Sequence, residues 1–174
     1  MHKQKGFSLI ELLIVVAIIL IIAAIAIPNL LRARIAANEA SAVSSIRTIK
    51  TAEITYLTAY PTVGYSITLA ALGSAAAGAC ATPASTNACL IDFTLASATT
   101  SALAKSGYYF GVANGTTATT PVSTFTIGSA PSAYNSTGVR LFCSIEDGIT
   151  RSAPGASGSV PVATTAGCIA YVTL

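Results

Sequence analysis

The chain has 174 residues, of which 53% are hydrophobic and only 9% are charged, and its formal net charge is +3. Part of this small positive charge lies in the first six residues, so the composition argues against broad electrostatic binding of nucleic acid. Ala, Ser, Thr and Gly dominate after residue 60, a composition typical of strands and loops. The length accommodates one globular domain with an appended segment.

The first predicted element is an apolar segment at residues 7–27, which is interrupted only by Ser8 and Glu11. As a helix it would span roughly 30 Å, the thickness of the hydrocarbon core of a bilayer. Lys3 and Lys5 precede it, and the positive-inside tendency therefore places the N-terminus in the cytoplasm and the rest of the chain outside. The segment is therefore predicted to lie in a membrane.

Two simpler interpretations of this segment are a secretory signal peptide and a plain membrane anchor. The tripeptide Ala24-Ile25-Ala26 has the form of a signal-peptidase site, but the apolar core is longer than an ordinary signal sequence has. Glu11 lies close enough to the cytoplasmic edge for a plain anchor to tolerate it. A carboxylate in a membrane segment is nevertheless, by default, a functional residue that needs a partner.

A cut between Gly6 and Phe7 would provide Glu11 with such a partner. The cut creates a free ammonium group on Phe7, about one helical turn from the carboxylate. Within one chain the two charges are poorly placed to pair. Two chains shifted by about one turn could bring them together in a medium of low dielectric constant, where their attraction is strong. Glu11 is therefore predicted to set the register between packed helices.

The sequence "KGFSLIELLIVVAI" followed by "AAIAIPNLLRAR" resembles the class III signal peptide and N-terminal helix of type IV prepilins, over residues 3–57. The resemblance implies that residues 1–6 are a leader peptide. It further implies that a membrane prepilin peptidase cleaves after Gly6 and methylates the new amino group of Phe7.

The same resemblance assigns roles to two residues of the helix. It implies that Glu11 pairs with the N-terminus of a neighbouring subunit during filament assembly, and that Pro28 marks a kink or a locally unwound segment. Leu20 stands where the family often has glycine, and leucine is the better helix former by nearly 1 kcal/mol.

One helix is predicted over residues 7–58, with a transmembrane and assembly part at 7–28 and an amphipathic part at 29–58. Apolar residues recur at every third or fourth position from Ile35 to Leu57, so this stripe is predicted to bury against a sheet. Pro28 removes one backbone hydrogen bond and is expected to bend the helix.

The remainder of the chain is predicted to form a connection at residues 59–106 and an antiparallel sheet at 107–174. Short helices are predicted within the connection at 68–72 and 95–105. The predicted strands of the sheet are 107–113, 122–128, a hairpin over 138–151 with its turn at Asp147-Gly148, and 168–174. The predicted fold class is therefore α+β, a long helix laid on an antiparallel sheet, and this order of elements also resembles that of pilins.

Four cysteines lie on the side of the membrane predicted to be outside, and an even number in an exported domain indicates two disulfides. Three pairings are possible. We favour Cys80–Cys89 with Cys143–Cys168 because each bridge closes a short loop within one region. The second bridge also resembles the C-terminal disulfide-bounded loop of the family. A zinc site is disfavoured, since the chain lacks CxxC spacing and a nearby histidine.

Other motifs are given structural interpretations. The sequons that begin at Asn114 and Asn135 are interpreted as turns rather than glycosylation sites, and Glu146-Asp147 as a hairpin turn rather than a calcium site. After cleavage no histidine remains, which excludes Ser-His-Asp and Cys-His arrangements, and no phosphate-binding glycine motif occurs. We therefore predict no enzymatic activity, no metal and no cofactor.

These features predict a structural protein, most simply a major type IV pilin. Its precursor would lie in the inner membrane, with the prepilin peptidase and the pilus assembly machinery as partners. The mature chain would form an extracellular homo-oligomeric filament, without nucleic acid as an expected partner. Adhesion, twitching motility and DNA uptake are not distinguished by the sequence. The alternatives are a type II secretion pseudopilin and a membrane-anchored exported binding protein.

Overall fold

A computed structural model of the chain describes residues 7–74, 76, 78, 80, 82–113 and 121–174. The predicted leader with Gly6 and the sequon at Asn114 lie outside the described residues. The chain divides into two compact units, residues 1–34 and 35–174.

Helix α1 extends from Leu9 to Ala59 and includes Pro28 without interruption. Its first part belongs to the N-terminal unit, where the apolar side chains are exposed rather than buried. By length and composition alone, this helix could cross a membrane, and a signal sequence would meet the same criterion. The predicted apolar helix is therefore present as a secondary-structure element.

The second part of α1 contributes the central stripe of the hydrophobic core. Ala42, Ile46 and Ile49 are buried, as the three-and-four spacing predicts. At the end of the stripe, where Ile54 and Leu57 were alternatives, Ile54 is 55% exposed and Glu53 takes a buried position. The cluster around the stripe joins α1 to the sheet through residues that include Tyr108, Phe110, Phe125, Ile127 and Phe142.

The sheet packs on this part of α1 and has five strands in the described residues. They lie in the order in which they occur along the chain, and every neighbouring pair is antiparallel. The α+β prediction, a long helix packed on an antiparallel sheet, is confirmed. The strands are β1 (Tyr108–Ala113), β2 (Thr126–Pro131), β3 (Arg140–Ile145), β4 (Thr150–Pro154) and β5 (Val172–Thr173).

The predicted second strand, 122–128, is wrong at its start, since β2 begins at Thr126. Val122 instead forms an isolated parallel bridge with Gly64, in which the Tyr65 N–H donates to the Val122 carbonyl at 2.9 Å. Gly64 has φ +89°, and a Cβ there would lie 2.2 Å from the Val122 oxygen, so only glycine allows this approach.

The predicted last strand, 168–174, is also wrong over most of its length. Helix α4 (Thr165–Ile169) contains Cys168, and only Val172 and Thr173 form β5. The side chain of Thr164 caps α4 by accepting the Gly167 N–H at 3.2 Å. Threonine is a preferred capping residue, so the helix begins where the hydrophobic pattern alone indicated a strand.

The connection after α1 contains two short helices and one 3₁₀ turn. Helix α2 (Leu69–Leu72) is close to its prediction, but the predicted helix 95–105 is wrong. Helix α3 (Phe93–Ala96) ends one residue after the predicted start, and the 3₁₀ turn follows only at Ser101–Leu103. The chain leaves the helical path here because the Ala98 carbonyl accepts the N–H of Phe110 in β1, at 2.7 Å.

Four threonines lie on the exposed side of α1 in the second unit. Each hydroxyl donates a hydrogen bond to the carbonyl four residues earlier, at 3.0 to 3.2 Å. The hydroxyl groups therefore serve their own helix rather than a neighbouring element. The threonines are Thr48, Thr51, Thr55 and Thr58.

Two disulfides connect the cysteines, with the pairing favoured from the short loops. Cys80 and Cys89 have their α-carbons 6.0 Å apart and join two points of the connection. Cys143 and Cys168 have theirs 5.8 Å apart and join β3 to α4. The second bridge is fully buried, whereas Cys80 is exposed.

Candidate assembly site

The first turn of α1 holds the one carboxylate of the apolar segment. Ser8 precedes the helix, and its backbone N–H donates to Oε2 of Glu11 at 3.0 Å. Serine before a helix and glutamate three residues later form the capping-box pattern, in which the glutamate satisfies an otherwise unpaired N–H. Within the described residues, no cation lies within salt-bridge distance of Glu11. The carboxylate thus caps its own helix, and no charged partner for it occurs among the described residues.

Phe7 precedes α1 and is 78% exposed, so its amino group would be accessible after a cut at Gly6. Glu11 lies four residues after Phe7, in the first turn of α1.

The apolar side chains around Glu11 form a long exposed surface. Fully burying one large aliphatic side chain contributes about 1.5–3 kcal/mol. This large number of exposed apolar side chains therefore strongly favours a membrane or a bundle of helices over water. The exposed large apolar residues of this unit are Phe7, Leu9, Ile10, Leu12, Leu13, Ile14, Val15, Val16, Ile18, Ile19, Leu20, Ile21, Ile22, Ile25, Ile27, Leu30 and Leu31.

Pro28 lies inside α1, toward the end of this apolar surface. Proline has no N–H, so the Ala24 carbonyl receives no bond from it. In an apolar environment such a carbonyl needs another donor or a local adjustment of the helix. The predicted role of Pro28 as a kink stays a prediction, since the helix assignment passes through it.

Two glutamates of α1, Glu39 and Glu53, are buried, and the sequence analysis did not identify them. Oε1 of Glu39 accepts the backbone N–H groups of Val139 and Arg140 at 3.1 and 3.2 Å, and Oε2 pairs with the guanidinium of Arg140. A signal was present in the spacing: positions 35, 39, 42, 46, 49, 53 and 56 alternate in steps of four and three. Both glutamates occupy the core stripe.

The second of these residues, Glu53, is completely buried. Its Oε2 accepts the backbone N–H of Ser66 at 2.9 Å, while Oε1 has no hydrogen-bond partner in the described part of the chain. Burial raises the pKa of Glu53 from its ordinary value of 4.5 to about 8, and the bond from Ser66 offsets part of this effect.

The acidic pair after β3 forms a turn. Gly148 has φ +77°, the Ile149 N–H donates to Oδ1 of Asp147 at 2.9 Å, and Arg151 forms an ion pair with the same carboxylate. The hydrogen bond from Arg151 is the main reason that the pKa of Asp147 lies below its ordinary value. No group of three or more metal-ligating side chains gathers anywhere in the described ranges.

The sequon at Asn135 also lies in a turn. Asn135 is exposed and has φ +61°, a conformation that asparagine tolerates better than most residues. The hydroxyl of Thr137, the third residue of the sequon, accepts the Ala133 N–H at 3.1 Å. The motif therefore lies in a turn that the Thr137 side chain bonds, as the sequence interpretation favoured.

A membrane-type helix with a single carboxylate, followed by an antiparallel head, defines a pilin-like subunit. Comparison with known proteins agrees with this description: residues 1–27 match the family described as prokaryotic N-terminal methylation motif. The predicted recognition of a type IV pilin N-terminus is confirmed.

Two curated proteins are similar to part of the chain. The type IV wide pilus major component PilA4 of Thermus thermophilus is 67% identical over 39 residues, which are 22% of this chain and 30% of that protein. The type IV major pilin protein PilA of Myxococcus xanthus is 45% identical over 51 residues, 29% of this chain and 23% of that protein. The matched part therefore spans less than a third of either relative. No solved structure shows a significant match.

Proposed function

We propose that this protein is a structural subunit, and the major pilin, of a type IV pilus. It is cleaved after Gly6, methylated at Phe7 and polymerised through α1 into an extracellular filament. The observation that carries the proposal is the position of Glu11, the only charged residue among the exposed apolar side chains of residues 7–31.

Two features of α1 favour assembly: its exposed apolar side chains and the carboxylate of Glu11. The apolar side chains need a surface that excludes water, which the inner membrane supplies for the precursor and neighbouring helices supply in the filament. Glu11 needs a cation, which the amino group of Phe7 in a neighbouring copy supplies. Because an unpaired charge in an apolar medium is strongly disfavoured, only those axial shifts that pair the two groups are stable. The partners of this pathway are a prepilin peptidase, the assembly machinery of the inner membrane and further copies of the chain.

The printed names of both relatives support the major-pilin part of the proposal, since each is a major component of a type IV pilus. The filament would serve adhesion, twitching motility or DNA uptake. Loss of each activity in a deletion strain, with restoration by the wild-type chain, tests these roles one at a time.

The test of assembly compares Glu11→Gln with wild type in the native host. Glutamine keeps the length of the side chain and can still cap the helix, so the variant removes mainly the charge. We expect processed Phe7 by mass spectrometry of the N-terminus, but a loss of at least about tenfold of subunit from the sheared extracellular fraction.

Glu146→Gln is the matched control, because Glu146 is an exposed carboxylate of the second unit. It should yield wild-type amounts of filament. Wild-type amounts from Glu11→Gln would contradict the proposed role of the charge. A mature protein that begins at Met1 or Ile27 would contradict the pilin assignment itself, and subunits absent from sheared filaments would favour the pseudopilin alternative.

A further inference from the structure

We propose that Glu53 acts as a proton-dependent latch, which holds the chain segment 60–68 on helix α1 while its carboxyl group is protonated and releases that segment when the group ionises. The segment follows α1 directly and leads to α2. The proposal concerns the second unit alone and does not depend on filament assembly.

The latch consists of one hydrogen bond in a fully buried place. The Ser66 N–H donates to Oε2 of Glu53, and Ser66 is itself 2% exposed. Oε1 of Glu53 lies buried without a partner among the described atoms. A neutral carboxyl group tolerates this environment far better than a carboxylate, which needs several donors or a nearby cation.

The groups around Glu53 do not compensate a negative charge. Tyr56 on the same helix is the titratable group whose pKa responds to Glu53, although burial is the larger cause of the upward shift. Tyr60, which follows the helix directly, packs on Tyr56 with ring centroids 4.9 Å apart and the ring planes tilted by 49°. From α2, the apolar Leu69 and Leu72 face the same cluster. No salt bridge to Glu53 occurs in the part of the chain that the structure describes.

Few other bonds hold the segment. The Val122 N–H donates to the Val63 carbonyl at 2.8 Å, and the Tyr65 N–H donates to the Val122 carbonyl at 2.9 Å. The Ser66 hydroxyl bonds to Thr68 within the segment itself. The sheet, by contrast, is held by its ladders and by the buried Cys143–Cys168 bridge. Ionisation of Glu53 places a poorly compensated charge in this buried position and should therefore open the segment before the sheet.

The direction of the pH dependence follows from burial. Because the pKa of Glu53 is raised from 4.5 to about 8, the folded chain keeps the proton at neutral pH while an unfolded chain would lose it. The contribution of this group to stability is fully present below 4.5 and declines as pH rises through about 8. The latch is thus strongest in acid, weakens as pH rises above 4.5 and is weakest above about pH 8.

An apolar cavity beside the segment provides a second way to detect release of the segment. Its volume is about 550 Å³ and its walls are mainly aromatic and aliphatic. Release of the segment would expose these walls to solvent and to an apolar fluorescent dye. The lining includes Tyr56, Val63, Tyr65, Ile67, Ala71 and Val122.

The test is hydrogen exchange, read by mass spectrometry, on the full-length chain in detergent micelles between about pH 6 and pH 9, corrected for the intrinsic effect of pH on exchange. In the wild type, protection of residues 60–68 should fall by up to about tenfold for each pH unit between about pH 6 and about pH 8 and should level off above that, with a parallel rise in dye fluorescence. In Glu53→Gln, protection should stay constant, because glutamine can still accept the Ser66 N–H and does not ionise.

Asp92→Asn is the matched control. The pKa of Asp92 lies below its ordinary value, so this carboxylate does not titrate in the same range, and asparagine can keep the cap on α3. This variant should show the full wild-type response. A wild-type segment whose protection does not change, a Glu53→Gln segment that opens in the same way, or a loss of protection that covers the whole sheet would each overturn the proposal.

Infrared spectroscopy of the wild type tests the protonated state without any variant. At neutral pH the carbonyl stretch of one protonated carboxylic acid should be visible and should disappear in alkali. Its absence at neutral pH would also overturn the proposal, whether or not Glu53→Gln folds.

Discussion

Arg140 on β3 binds Glu39 on α1 through two guanidinium nitrogens, with Nε at 2.8 Å and Nη2 at 2.7 Å from Oε2. The other carboxylate oxygen accepts two backbone N–H groups at the start of the strand. The carboxylate is almost fully buried, while the side chain of Arg140 is 47% exposed and its guanidinium lies over the Phe142 ring. Glu39 is therefore the member of the pair that the fold depends on more.

The difference in burial between the two side chains predicts which of two alanine variants is the less stable. Arg140→Ala should lower the free energy of unfolding by about 1–2 kcal/mol, since solvent can replace the exposed guanidinium and the backbone bonds to Glu39 remain. Glu39→Ala should lower it by about 2–4 kcal/mol, because two backbone N–H groups lose their acceptor. Denaturant unfolding of the full-length variants in detergent measures both values. The reverse order would show that the guanidinium, not the carboxylate, ties the strand to the helix.

Two glycines that face each other across β1 and β2 should respond differently to alanine. Gly111 and Gly128 are paired in register. A Cβ on Gly128 would lie 2.3 Å from the Val162 carbonyl oxygen, whereas on Gly111 it would meet only the side chain of Pro161 at 3.4 Å. Gly128→Ala should therefore destabilise by about 1–3 kcal/mol and Gly111→Ala by much less. Thermal unfolding of the two variants, side by side, checks this difference, and equal effects would contradict the close packing of Val162 on β2.

The two disulfides should differ in their accessibility to reductant. Cys80 is exposed, while Cys143 and Cys168 are fully buried. Since exchange needs an attacking thiolate to reach the sulfur, mild reductant should open Cys80–Cys89 first. Alkylation followed by peptide mass spectrometry would then find label only at Cys80 and Cys89 until the chain unfolds. Simultaneous labelling of all four cysteines in the folded chain would contradict the buried position of the second bridge.

Acid should weaken the turn between β3 and β4. Because Arg151 holds the pKa of Asp147 below 3.8, the ion pair contributes its full stability above that value. The contribution is lost as pH falls through the lowered pKa, since the proton then competes with Arg151. Unfolding measured from neutral pH downward should show a steeper acid loss in the wild type than in Asp147→Asn. Identical acid profiles would mean that the ion pair does not stabilise the folded state.

Much of the fold could be predicted because periodicity reports burial directly. Ala42, Ile46 and Ile49 follow the helical stripe, and "GYYFGVA" predicted β1 to within one residue. Local patterns of this kind need no knowledge of distant contacts.

The failures come from interactions between distant parts of the chain. Glu53 was not expected in the core, because only the packing of the segment at Ser66 encloses it. Val122 has strand-forming character, but its partner is Gly64 rather than the sheet. The Thr164 cap turned the segment around Cys168 into a helix. In each case a tertiary contact or a side-chain cap decided against the hydrophobic pattern.

The threonines on the exposed side of α1 make that surface less polar than the sequence alone suggests. With each hydroxyl proton donated to the helix backbone, these side chains offer solvent their methyl groups and the lone pairs of their oxygens, but no donor. Water can donate to these four hydroxyl groups but cannot accept from them. The exposed side of α1 between Thr48 and Thr58 therefore has fewer ways to bind water than four free threonine hydroxyls would give it.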